Sequence, residues 1–394
     1  MKTNRFLFLI CVATAPALIN LPATETASQT AKKPVSNEYQ GTTVEDPYQW
    51  LEKDDDPEVK AWSAAKNQQT RDYLDTLPDR AAIEKQLTEW YAKTSPSYSS
   101  LVSRPGILFA MKFQPPKQQP MLVTLASADD LKSEKIVLDP NEYVAVSLSK
   151  GGSEDGTLHI YEAATAKALP DTIGHVQYPT AGGSAAWNAD GTGIYYTRFP
   201  RQGERPEADL NFYQQVYFHK LGTPDTEDIY SIGKDFPRIA EVVLEASHDG
   251  KYILATVANG DGGDFSHYLL GPDGNWKQIT QFSDQIKAAR LGRDNALYLL
   301  SRAGAPRGKI LRLPIETPEL SSAVEIVRTG EPVIERIVPT ADALYTGDLL
   351  GGPSQIRRFG LDGKGKTIIP IAKISAVQEM VALEDNSLVF RDVS

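Results

Sequence analysis

After Pro96 the chain alternates apolar and polar positions in short runs rich in Val, Ile, Tyr, Phe and Leu. Asp-Gly, Asp-Asn and Pro-Gly turns separate the runs, which is the signature of antiparallel strands. Six stretches share one form, a turn followed by a strand: RPGILFAMKF (104–113), NADGTGIYYTRF (188–199), SHDGKYILATV (247–257), GRDNALYLLSR (292–302), PTADALYTGD (339–348) and LEDNSLVFRD (383–392). From Asp190 the turn aspartates recur at Asp249, Asp294, Asp342 and Asp385, at spacings of 59, 45, 48 and 43 residues. YVAVSLS (143–149) lacks the turn but fills the gap between the first two units, making seven. Repeats of about 40–50 residues built only of strands predict the blades of a β-propeller. A pair of β-sandwiches with coincident turns is the alternative, and it gives no reason for the period.

Ahead of the strands the pattern turns helical, from Asp46 to Trp90. Asp56 followed by Pro57 reads as an N-cap with proline at the first helical position. Val59, Trp62 and Tyr73 then fall at roughly helical spacing, with an end near Leu77-Pro78. A second helix is predicted from Asp79 to Tyr91, with Ile83, Leu87, Trp90 and Tyr91 as its apolar face. The segment DPYQWLE (46–52) crowds a proline, two aromatics and a leucine into an arm far from any catalytic motif.

The first residues read as a signal peptide. Lys2 and Arg5 form a positive start, and Phe6 to Ile19 is an apolar stretch of fitting length. It is short and Pro-interrupted for a membrane span of about 20 residues. Cleavage after Ala23 or Ala27 would follow, with residues 1–23 removed and 24–36 left as a flexible tether. A buried N-terminal helix or a retained anchor is the alternative. The one cysteine, Cys11, lies in this leader, so the mature chain would have neither disulfide nor thiol chemistry. Export to a periplasm or secretion is expected, with no membrane contact once the leader is gone.

Composition and charge exclude some classes of function. With 41% hydrophobic and 23% charged residues the chain is globular in type, and its net charge of −10 argues against nucleic-acid binding.

Residues in catalytic or ligating patterns are sparse. His159, His175, His219, His248 and His267 show no metal-type spacing, so neither metal nor cofactor is expected. Gly182-Gly183-Ser184-Ala185-Ala186 lacks the second glycine of a nucleophile elbow and precedes a strand rather than a helix. The glycine-rich 151–156 stretch has no lysine to cradle a phosphate and reads as a turn. Asp54, Asp55 and Asp56 precede a helix, where carboxylates suit the positive end of the dipole better than they suit calcium. The acidic loop Gly260–Asp264 has the wrong spacing for a calcium site. No catalytic residue is assigned.

Taken together the sequence resembles the N-terminal half of a prolyl oligopeptidase, over about residues 37–394. VEDPYQWLE (44–52) matches that family's opening signature. LFAMKFQPPKQQPML (108–122), VLDPN (137–141), SLSKGGSEDGTLHIY (147–161), AAWNADGTGIYYTRFP (185–200) and QQVYFHKLGTPDTED (214–228) match propeller segments in the family's order. The resemblance implies an all-β, seven-bladed β-propeller over 96–394, preceded by a short α-helical arm (37–95). It further implies that the arm packs on an α/β-hydrolase domain carrying the Ser-Asp-His triad, with Tyr48, Trp50, Leu51, Trp62 and Trp90 at that interface.

Those three tryptophans are then expected to be more exposed than average. The loop from Asn259 through Asp261 to Asp264 lies where the family places a substrate-facing segment. Blade 2 is expected to lack its inner strand, because VLDPN runs almost directly into EYVAVSLS, and blade 7 to hold about two strands. The implied partners are short proline-containing peptides, and the hydrolase domain supplied in trans. The chain itself is expected to be inactive. A free-standing propeller that binds peptides or proteins without chemistry is the second reading.

Overall fold

The turn at Asp190-Gly191 shows how the repeats fold. Asp190 Oδ1 accepts from the Thr192 N–H at 3.1 Å and from its hydroxyl at 2.6 Å, while Gly191 takes φ +68°. A side-chain-capped turn of this kind needs a left-handed residue after the aspartate. Gly250, Asn295 and Asn386 fill that position in the later repeats, at φ +70°, +53° and +66°. Each turn closes a hairpin, and the strand after it is the second of a meander. Ala185–Trp187, Gly193–Arg198, Gln215–Lys220 and Ile229–Ile232 pair in sequence order, every pairing antiparallel.

The computed structural model describes residues 30–92, 95–104, 107–115, 120–136, 143–149, 155–162, 167–177 and 183–393. The expected leader and the 151–154 glycines lie outside these. The described chain divides into two compact units, 1–93 and 94–394.

In the second unit, five four-stranded meanders span 97–136, 185–232, 240–280, 286–327 and 333–369. A three-stranded sheet occupies 143–173, and a strand pair, Ala376–Ala382 with Leu388–Val393, follows the last meander. Packing between consecutive sheets makes the unit an all-β propeller. Leu297 and Leu299 project toward Leu254, Leu269 and Ile279 of the preceding sheet. Tyr298 and Leu300, alternate positions of the same strand, pack on Ile334, Ile337 and Leu344 of the following one. Both faces of such a strand are buried, so Ala296–Ser301 is inaccessible throughout. Each large side chain buried this way contributes about 1.5–3 kcal/mol. Leu158, Ile160 and Ile173 likewise pack on Ile194 and Tyr196. The first and last sheets meet where the Leu101 N–H donates to Glu379 Oε2 at 3.1 Å.

The first unit holds two helices, Pro57–Leu74 and Arg80–Ala92, close to the expected spans. Asp56 caps the first, its Oδ1 accepting from the Glu58 N–H at 2.9 Å. The unit departs from expectation at its start. Val35–Tyr39 and Thr42–Asp46 form a hairpin around Gln40 and Gly41, both left-handed, so the end of the stretch expected to be a flexible tether is a paired strand.

Candidate functional site

The B-to-C loops of the meanders, between second and third strands, lie at the opposite end of their sheets from the Asp-Gly turns. Asn259–Asp264 is one of them, joining Ile253–Asn259 to Phe265–Leu270. Its glycines allow a tight reversal: Gly260 and Gly263 take φ +57° and +70°, and the Asn259 N–H donates to the Asp264 carbonyl at 3.0 Å. Asn259, Asp261 and Asp264 are all exposed. Lys287, on the first strand of the next sheet, fastens the loop. Its Nζ donates to the Gly263 carbonyl at 2.6 Å and to Asp264 Oδ1 at 3.1 Å. Asp261 has no such anchor among the described residues and projects as a solvated carboxylate.

A longer loop, 199–214, rises from the same end of its sheet and is held by arginines. Buried Arg198 grips Glu204 with both terminal nitrogens, at 2.7 and 2.9 Å, and stacks 3.9 Å from the Tyr217 ring centroid. Arg201 pairs with Asp225 at 2.7 Å. Arg238 lies 3.4 Å over Phe212 and donates to Asp209, while Arg205 lies 3.8 Å over Tyr213. Planar guanidinium groups suit this combination of fork and stack. The result is a rigid, polar rim.

The histidines divide by environment. His219 is fully buried between two carboxylates, with Nδ1 2.6 Å from Asp228 Oδ1 and Nε2 3.0 Å from Asp171 Oδ1. The Tyr196 hydroxyl donates to the other Asp228 oxygen at 2.6 Å. Burial pushes the imidazole pKa down, but the hydrogen bonds to Asp228 and Asp171 outweigh it, leaving His219 above the ordinary histidine value. Among the described residues no carboxylate pairs with His267, and burial with nearby Arg290 holds it down to about 4. Its Nδ1 meets Thr280 Oγ1 at 2.7 Å. The first is an imidazolium bolt between sheets and the second a neutral core residue. Ser184 is buried, and its Oγ accepts from the Leu244 N–H at 2.8 Å, a structural duty.

In the first unit, the expected interface residues behave in two ways. Trp90 is 60% exposed, and Ile83, Leu87 and Tyr91 on the same helix are exposed with it. Tyr48 is exposed and Leu51 half-buried. Trp50 and Trp62 depart from the expected exposure. They are half-buried and pack edge to face at 6.4 Å. The indole N–H of Trp50 donates to the Ala31 carbonyl and that of Trp62 to Thr30 Oγ1, while Lys33 lies over the Trp50 ring. The segment before the hairpin supplies partners that the pattern of apolar residues gave no sign of.

The sequence of this chain matches the family model described as the prolyl oligopeptidase N-terminal β-propeller domain, over residues 28–143 and 141–394. It is 28% identical over 386 residues to a prolyl endopeptidase of Elizabethkingia meningoseptica, covering 91% of this chain and 52% of that protein. To prolyl oligopeptidase A of Galerina marginata it is 25% identical over 352 residues, covering 76% and 45%. Among solved structures, a prolyl endopeptidase superposes with a TM-score of 0.78 at 22% identity, covering 93% of this chain and 56% of that one. The chain spans about half the length of the curated relatives it matches.

Proposed function

Since the chain belongs to the prolyl oligopeptidase family, carrying its N-terminal β-propeller domain, we propose that it is the propeller portion of a serine endopeptidase that cleaves short peptides after proline. The match across 28–394 carries this reading. The family's acyl-transfer chemistry needs a serine nucleophile, a histidine base and an orienting aspartate. The resemblance places all three in the hydrolase domain, so no residue of this chain takes a catalytic role and the chain alone is inert. Its work is selection: a rigid ring admits short peptides and excludes folded proteins. Asn259, Asp261 and Asp264, with the arginine-held rim, face the peptide.

The ring has seven blades in this reading. The three-stranded sheet 143–173 is the second, without its inner strand. Leu158 and Ile160 on its middle strand pack on Ile194 and Tyr196 of the next sheet's second strand. In this reading the middle strand is a third strand and the sheet's first position is the empty one. The pair 376–393 is the seventh blade.

The arm docks on the hydrolase domain. The exposed row of Ile83, Leu87, Trp90 and Tyr91 supports this, since several large apolar side chains on one helix mark a contact surface. Tyr48, Trp50, Leu51 and Trp62 are assigned to the same docking contact in this reading, Trp50 and Trp62 as half-buried rings. Export, to a periplasm or as a secreted protein, is part of the same proposal and rests on the leader-like stretch of residues 1–23.

A separately produced hydrolase domain of a family member, mixed with the full chain, tests the docking. Binding with a blue shift of tryptophan emission, lost in Trp90→Ala, is expected. Unchanged emission at micromolar concentrations of both would refute it and favour a free-standing binding propeller.

A further inference from the structure

The first-to-second-strand turns meet partners well beyond their neighbours in the ring. Glu384 stands on the turn between Ala376–Ala382 and Leu388–Val393. Its Oε1 accepts from Arg293 NH2 at 3.0 Å and its Oε2 from NH1 at 3.2 Å, a two-pronged pair between residues 91 apart in sequence. His248 Nε2 lies 3.6 Å from the same Oε2. Arg293 belongs to the turn of the 286–327 sheet and His248 to that of the 240–280 sheet.

Sheets that follow one another in sequence pack face to face, so the 333–369 sheet separates the strand pair from Arg293. Two sheets separate it from His248. Bonds that skip intervening sheets are possible only where the turns converge toward the ring axis. The bypassed turn is tied in as well, the Ala341 N–H donating to Asn386 Oδ1 at 2.9 Å. Arg293 and Glu384 are 19% and 30% exposed. A forked, partly desolvated pair of this kind is worth more than a loose surface ion pair.

The need for such a bond is visible at the seam. Among the described residues no strand is shared between the first and last sheets, each being built from consecutive strands. We propose that Arg293 and Glu384, with His248, form an axial latch that fastens the last strand pair to the far side of the ring and caps the axis at the turn end. The latch belongs to the ring itself and stands whether or not the chain serves a peptidase.

Hydrogen exchange on the full chain tests it. Glu384→Gln keeps the turn and removes the charge. Amides of 376–382 and 388–393 should then exchange roughly tenfold faster, with 215–232 unchanged, as local opening of one unit requires. The reciprocal swap, Arg293→Glu with Glu384→Arg, should recover most of the protection. Should Glu384→Gln fail to fold, Arg293→Lys, which keeps charge but loses the fork, carries the same test. Unchanged exchange in the strand pair, or an equal acceleration in every sheet that the swap does not recover, would overturn the proposal.

Discussion

Replacing His219 by glutamine tests the most consequential buried contact in the ring. His219 has no exposed surface, and it separates the carboxylates of Asp171 and Asp228, themselves buried. Asp171 also accepts from the Gly222 N–H at 2.6 Å, and Asp228 from Tyr196, so neither can turn away to solvent. Taking one partner from a buried ionic cluster leaves uncompensated charge and costs about 3–5 kcal/mol. The pH dependence adds a signature that a packing defect would not give. The folded-state pKa of His219 lies above its unfolded value of about 6.5. Its contribution is therefore full below about pH 6.5 and is lost as pH rises through the folded value. Urea unfolding of the full chain and of His219→Gln at pH 6, 7.5 and 9 measures both effects. The wild-type advantage should be largest at pH 6 and shrink toward pH 9. An advantage below about 1 kcal/mol at pH 6, or one that grows with pH, would rule out His219 as a stabilising bridge between the two carboxylates.

Two further outcomes follow from other fastenings. Arg357 grips Asp348 through Nε at 2.5 Å and NH2 at 3.0 Å, both side chains nearly inaccessible. Asp348→Ala should cost about 3–5 kcal/mol in urea unfolding, and adding Arg357→Met should recover most of that, because an apolar pair strands no charge. Lys287→Met removes two bonds to the Asn259–Asp264 loop, one to a carboxylate partly screened by solvent. Amide exchange there should rise by about fivefold, equivalent to about 1 kcal/mol, while the neighbouring strands keep their protection.

The propeller was legible in the sequence because its second strands advertise themselves. An Asp-Gly or Asp-Asn turn announces four of them, and such a strand can be buried on both faces, as in Ala296–Ser301. Fourth strands such as Val324–Val327 and Thr367–Ile369 gave little signal, being short and largely exposed on the outer edge. The Val35–Asp46 hairpin was invisible for a related reason. It buries no side chain fully, so no apolar alternation marks it. The helices were readable from the Asp56-Pro57 cap, but the packing of Trp50 on Trp62 depends on Thr30, Ala31 and Lys33, in a stretch with no periodicity.

At the candidate site the glycines of 259–264 were evident, whereas Lys287, 23 residues beyond Asp264, was not. The same holds for His219, whose partner Asp171 is 48 residues away, and for Arg293 and Glu384. Contacts between sheets join positions whose separation no periodic pattern encodes.

The proposed function makes this chain the selecting half of a proline-directed serine peptidase, with no catalytic role for its own residues. Release of a fluorophore from a short proline-containing peptide by the purified full chain, with and without a serine-directed inhibitor, tests it most directly. The account predicts no inhibitor-sensitive release at any pH from 6 to 9; release that the inhibitor abolishes would place a nucleophile within these residues and contradict it.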